Sequence, residues 1–199
     1  MAEGKEIWCQ LFSEPSAGSD VAGLRSKAVQ DGENWIVNGQ KVWTSGAHFS
    51  DFGILVVRHD PGLEKHKGLT FFFVDMKSPG IEVKPIKQLT GGSSFNEVYF
   101  NDVVIPDSQR LGEIGDGWKV AITTLMNERL AVGDADGVDA NEAFELAKKH
   151  GKDGEQLIDN NAVRESIADW YCEKSGLKNT KLRIYGERKT TILNHTPLV

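Results

Sequence analysis

Phe52-Gly53-Ile54-Leu55-Val56-Val57-Arg58 and Leu69-Thr70-Phe71-Phe72-Phe73-Val74 are two nearly continuous apolar runs, and their reading decides the fold. Each is short and rich in β-branched or aromatic residues, so they read as strands buried on both faces or lying inside a sandwich. Downstream, Ile81 and Val83, then Val98 and Phe100, then Val103 and Ile105 alternate at period two, bounded by Pro79-Gly80, Asn101-Asp102 and Pro106. Upstream, residues 7–12 read as a strand. Asp31-Gly32 separates 26–30 from 35–38, and Asn38-Gly39 precedes 40–43. Such dipeptides accept the positive φ of tight hairpins, so both read as turns in an antiparallel sheet. Seven or so short strands at this spacing imply a barrel or sandwich.

From residue 115 onward the period changes. Trp118, Ile122, Leu125, Arg129 and Val132 recur at three- and four-residue steps, the stripe of an amphipathic helix. A shorter helix is predicted over 141–150, then a polar stretch broken by Gly151 and Gly154. Val163, Ile167, Trp170 and Tyr171 open another helix that runs past Leu182. The fold class is therefore α+β with its parts segregated: an antiparallel β-barrel or sandwich over 1–112, and helices of an incomplete bundle over 113–199. Residues 190–199 show no cap and no periodicity, which reads as a chain cut short.

The 199 residues are 39% hydrophobic and 26% charged, enough for a real core. A formal charge of -6 and a pI near 5.4 argue against non-specific binding to nucleic acid or anionic membrane. Cys9 and Cys172 are too few for a disulfide framework. His48, His150 and His195 lack metal-ligand spacing, so no metal is expected. No targeting or membrane-spanning segment is seen, and a cytoplasmic location is the default expectation, a mitochondrial origin being the other. His59, Lys65, His66 and Lys67 form a local basic loop, which is either solvated or suited to a phosphate.

Two polar clusters stand out. Ser13-Glu14-Pro15-Ser16-Ala17-Gly18-Ser19-Asp20-Val21 follows the first strand and leaves backbone N–H groups and hydroxyls free for an anionic or polar ligand. As a local pattern it is also an ordinary turn. Asn38-Gly39-Gln40-Lys41-Val42-Trp43-Thr44-Ser45-Gly46 ends a strand with an indole and two hydroxyls. That suits a flat heteroaromatic cofactor, or a core tryptophan.

Taken together the clusters resemble the acyl-CoA dehydrogenase family, in its T/S-E-P-x-A-G-S-D and N-G-x-K-x-W-x-T/S segments. The likeness continues through Val98-Tyr99-Phe100-Asn101-Asp102-Val103-Val104-Ile105-Pro106 and Gly115-Asp116-Gly117-Trp118. The resemblance implies FAD as cofactor, an acyl-CoA substrate, an electron-transfer flavoprotein or similar acceptor as partner, and a homo-oligomer in the full-length form. It implies proton abstraction at Cα with hydride passing from Cβ to flavin N5, as in fatty acid β-oxidation. It places Gln10, Phe12 and Ser13 at the flavin pyrimidine, and Ser19 near cofactor and substrate phosphates. Trp43, Thr44 and Ser45 fall at the flavin ring, Ser45 standing where threonine is usual.

The catalytic base of most members lies in a late helical segment. A minority similar to the isovaleryl branch place it in a Leu-Glu-Arg-Leu stretch, which here reads Asn127-Glu128-Arg129-Leu130. Glu128 is the implied base, expected to border the buried stripe, with an ordinary surface or ion-paired glutamate as the alternative. Asn127 and Arg129 are implied substrate contacts, although Met126 stands where the family often has aspartate. Family members open with a helical domain, so the chain reads as truncated at both ends. A non-catalytic flavin-binding remnant, or a partner subunit of a complete dehydrogenase, is the other reading.

Overall fold

The computed structural model describes residues 3–132, 139–149, 151 and 154–195. By its internal contacts the chain divides into Met1–Asn127 and Glu128–Val199.

In the first unit seven strands form one curled sheet among the described residues: β1 (Trp8–Leu11), β2 (Lys27–Asp31), β3 (Asn34–Ser45), β4 (Phe52–Arg58), β5 (Leu69–Asp75), β6 (Ile81–Ile86) and β7 (Phe95–Pro106). β4 and β5 pair antiparallel along their whole length. The other edge of β4 takes β1 in parallel and then touches β2 where Lys27 meets Arg58. From β2 the sheet continues antiparallel through β3, β7 and β6. The parallel β1–β4 pairing departs from the purely antiparallel expectation.

The two apolar runs are buried on both faces. Leu55, Val57, Phe72 and Val74 join Leu11, Trp35, Val37, Val98 and Ile105 inside the curl. Val56, Leu69 and Phe71 face the other way, into a second cluster with Phe12, Leu24 and Ala121. α1 (Gly117–Val132) covers that outer face with Trp118, Ala121 and Leu125. Ile122, expected in the stripe, is exposed, because one residue beyond Ala121 turns the helix by about 100° away from the sheet. The side chain of Val132 lies outside the described residues.

Two expected strand breaks meet in one bulge instead. β3 runs unbroken through Asn38-Gly39, and β7 through Asn101-Asp102. Between the pairs Val37–Val103 and Gly39–Phe100, two residues of β7 face one of β3, with Asp102 at φ 49°. Asn38 brackets this bulge, donating from Nδ2 to Asp102 Oδ1 at 2.8 Å and accepting the Asp102 N–H at 2.9 Å. Gly39 serves close approach at φ 152°, since a Cβ there would lie 2.2 Å from Ser26 Oγ.

The segment from β7 to α1 is latched to the sheet. Asp107 accepts from Trp35 Nε1 at 2.8 Å and is held by Arg110 Nε and Nη2 at 2.9 and 3.0 Å. The Leu111 N–H donates to Phe71 O at 2.8 Å. At the start of α1, a Cβ on Gly117 would lie 2.5 Å from the Leu69 carbonyl carbon. That contact is backbone and cannot move aside.

In the second unit α2 (Ala140–Lys149) packs on α3 (Asn161–His195), with Ala140, Phe144, Ile158, Ile167 and Tyr171 lining the groove between them. α2 is helical through Lys149, and the end that the pattern placed at His150 lies outside the described residues. α3 continues as helix through 190–195, where the sequence promised no regular structure; 196–199 lie outside the described residues. No helix among the described residues is long and apolar enough to cross a membrane.

Gly117→Ala is expected to cost about 1–3 kcal/mol through overpacking against β5, read as a lowered melting temperature. Bonds from Arg110 and then Trp35 bring the Asp107 carboxyl from 3.8 down to about 2. Its contribution is therefore present in full above the ordinary carboxylate value and is lost as pH falls through about 2. Asp107→Asn should lower the melting temperature at neutral pH and flatten its decline below about pH 4, measured by thermal melts across that range.

Candidate functional site

The turn after β1 folds back on itself, Glu14 and Ala17 exchanging both backbone hydrogen bonds. Its carboxylate points inward rather than to solvent. Glu14 accepts from the Arg25 and Ser26 N–H groups at 2.6 and 3.0 Å and from Lys41 Nζ at 2.8 Å. Lys41 is fully buried and donates also to Phe12 O at 3.1 Å. Burial pushes the Glu14 carboxyl up, but Lys41 and the two backbone donors outweigh it and hold it below its ordinary value. On Lys41 burial wins, bringing the ammonium down to about 8 against the pull of Glu14. One backbone bond, Val42 N–H to Ser13 O at 2.9 Å, closes the join. The two polar clusters are thus one structure.

Beyond this join β3 bulges again. Lys41 pairs with Val98 and Thr44 with Asn96, so Val42 and Trp43 together face one residue of β7. Trp43 sits at φ 61°, the left-handed region that a bulky residue occupies only under strain. The bulge breaks the alternation that would put Trp43 on the face of Lys41. The indole is instead 58% exposed, with its ring edge-on to Phe95 at 6.1 Å. Ser45 is exposed beside it, and Ser13 and Gln10 are half-buried. Thr44 lies inside, its hydroxyl buried and without a hydrogen-bond partner among the described residues. Phe12 is 3% exposed, its ring edge-on to Phe71, so only its main chain is left to meet a ligand.

These residues fit a flavin. The exposed indole supplies apolar area for a flat ring, Ser13 and Ser45 supply hydroxyls, and the buried Thr44 hydroxyl stands between Trp43 and Ser45 along the chain.

Ser19 is exposed on the turn that leads to Asp20, and Asp20 pairs with Lys65. Arg58 ties this turn to the β4–β5 loop, donating to Ala22 O and Leu24 O at 2.6 and 3.2 Å and to Lys65 O at 3.1 Å. The result is a cavity of about 470 Å³ lined by Arg25, Lys27, Arg58, Leu63 and Lys65. Of the expected basic loop only Lys65 lines it. His59 turns toward Thr70, 3.0 Å from Nδ1 to Oγ1, and burial lowers its pKa. His66 packs edge-on to Trp118, and Lys67 pairs with Glu64. Arg25 and Lys27 were missed by sequence reasoning. Their signal was alternation: they flank buried Ser26 on the way into β2.

On α1, Asn127 Nδ2 donates to Thr123 O of its own helix at 2.8 Å. Glu128 and Arg129 are both exposed, so the expectation that Glu128 borders the buried stripe is corrected. The described stripe is Trp118, Ala121 and Leu125, and it packs against sheet residues of the first unit.

The chain is similar to known proteins. The family profile "Acyl-CoA dehydrogenase, middle domain" matches residues 9–103, and "Acyl-CoA dehydrogenase, C-terminal domain" matches 115–191. The chain is 54% identical over 129 residues to acyl-CoA dehydrogenase FadE34 of Mycobacterium tuberculosis, covering 65% of this chain and 18% of that protein. It superposes on the crystal structure of an acyl-CoA dehydrogenase from Geobacillus kaustophilus with a TM-score of 0.83 at 26% identity, covering 94% of this chain and 51% of the other. On the ChsE4-ChsE5 complex of Mycobacterium tuberculosis the TM-score is 0.78 at 29% identity, covering 94% and 49%. The chain thus spans about half or less of the relatives it matches. With both profiles in order along one chain, and the two motif segments joined in space, the chain belongs to the acyl-CoA dehydrogenase family.

Proposed function

We propose that this chain carries the flavin-holding part of an oxidoreductase that introduces an α,β double bond into an acyl-CoA thioester. Residues 1–112 form the flavin-binding β domain and 113–199 part of the helical domain. The observation that carries the reading is the strained bulge that turns Trp43 outward beside Ser13 and Ser45. Left-handed strain at a bulky residue costs about 1–3 kcal/mol, and such strain clusters where ligands are held.

Trp43 packs against the flat ring and excludes water from one side of it. Ser13, with the main chain of Phe12 and the amide of Gln10, holds the polar pyrimidine edge. Ser45 gives a hydroxyl near the redox-active edge without the methyl of threonine. FAD supplies the hydride acceptor when bound. Ser19 and the cations Arg25, Lys27 and Lys65, the last three sharing one cavity wall, hold phosphates, and Asn127 and Arg129 serve the acyl-CoA. Glu128 takes the Cα proton as general base. The partner that would accept the electrons is an electron-transfer flavoprotein or similar acceptor, and the full-length form is oligomeric. A second reading, a subunit that completes another chain's site, is favoured by the exposure of Glu128 and by the complex of two named proteins among the relatives.

Purified protein titrated with FAD should quench flavin fluorescence, and Trp43→Ala should weaken that binding about tenfold. Equal affinity in the two proteins would remove Trp43 from the site. Glu128→Gln should abolish exchange of the acyl-CoA α-proton with deuterated water while FAD affinity stays unchanged; exchange at the wild-type rate would assign the base elsewhere.

A further inference from the structure

The geometry points to Glu14 and Lys41 as a positioning pair for the flavin site: their buried ion pair fixes the Phe12–Ser13 segment against the Trp43–Ser45 bulge, and so sets flavin affinity separately from stability. This rests on the flavin reading above. Neither side chain is placed to touch a ligand, Lys41 being fully buried and Glu14 nearly so. What they touch is the frame of the site. Lys41 Nζ reaches Phe12 O and Glu14 Oε1, and Glu14 reaches the Arg25 and Ser26 N–H groups, so three chain segments meet at one carboxylate. Lys41 stands two residues before Trp43, and Glu14 one residue after Ser13.

A buried ion pair is poor evidence of a stability device. Neutral replacement of such a pair is often tolerated, whereas removing one partner strands a charge. What a charge-assisted network offers in return is directional placement. A shift of about 1 Å in a binding frame can cost far more function than stability.

Among the described residues Glu14 is the charged side chain that faces Lys41, and burial sets the ammonium to lose its proton from about 8 upward. Between that value and 10.5 the unfolded chain holds a proton the folded chain has released. Folding stability from this group therefore rises with pH in that window. Over the same range the ammonium becomes a neutral amine, which keeps two N–H donors but loses the positive charge that strengthens and directs its bonds to Phe12 O and Glu14. A positioning role makes flavin affinity fall where this stability contribution rises, and a purely structural role makes them move together.

The test compares FAD affinity, by flavin fluorescence, with the melting temperature for the full chain and for Glu14→Gln/Lys41→Met. The double variant should melt close to wild type yet bind FAD about tenfold more weakly. Wild-type affinity should fall from about pH 7 to about pH 9, with a flat profile in the double variant. Wild-type affinity that is flat over that range, or a folded double variant that binds FAD as wild type does, overturns the positioning role. A wild-type chain that binds no FAD at all overturns the flavin reading beneath it.

Discussion

β4 and β5 give side chains to two cores at once. Leu55, Val57 and Phe72 fill the interior of the curled sheet, and Val56, Leu69 and Phe71 fill the layer beneath α1. A pair of strands with two apolar faces must be covered on both, since each buried side chain of this size contributes about 1.5–3 kcal/mol only when it leaves water. That requirement places α1. It also explains why the helix begins on Gly117, whose missing Cβ lets the first turn rest on the β5 backbone, and why the linker is latched through Asp107, Arg110 and Leu111.

The rest of the sheet is bent around this pair by bulges. Each relocates a side chain. The Asn101-Asp102 bulge is bracketed by Asn38, while Gly39 beside it allows the close pass against Ser26. The Val42-Trp43 bulge expels an indole that alternation would have directed toward the Lys41 face. An exposed aromatic, a left-handed bulky residue and a buried Thr44 hydroxyl without a partner among the described residues each oppose folding. Their occurrence at neighbouring residues, on an otherwise well-paired strand, is the local signature of a binding surface held at some cost to stability.

β4 and β5 were legible in the sequence because two-sided burial writes itself as a continuous apolar run, with bounds that need no tertiary knowledge. The bulges were not. Asn38-Gly39 and Asn101-Asp102 report a local tolerance for unusual φ, and that tolerance is shared by chain reversals and by bulges. Which one forms depends on Ser26, at the entry to β2, coming within reach of Gly39, and on Asn38, on β3, coming within reach of Asp102. Helical period likewise located α1 but not its partners. Spacing put Glu128 next to Leu125, yet it could not tell that the packed face is set by Ala121 and the β5 backbone, leaving Glu128 exposed. Motif resemblance found Ser13, Trp43 and Ser45, whereas Arg25 and Lys27 escaped it because a cavity wall is gathered from several elements.

Glu14 and Lys41 belong to the two polar clusters that stand apart in the sequence. In the structure they are partners, and this accounts for why both clusters carry a charged residue among their small and hydroxylic ones. A lysine brought into a dry interior has no stable position without an acceptor, and a carboxylate there requires donors on both oxygens. Lys41 and the N–H groups of Arg25 and Ser26 satisfy that requirement only when the β1 turn, the entry to β2 and the middle of β3 lie within hydrogen-bond reach together. The polar clusters therefore carry two kinds of information: hydroxyls and an indole that face outward, and a buried charge pair that makes their relative position a consequence of folding.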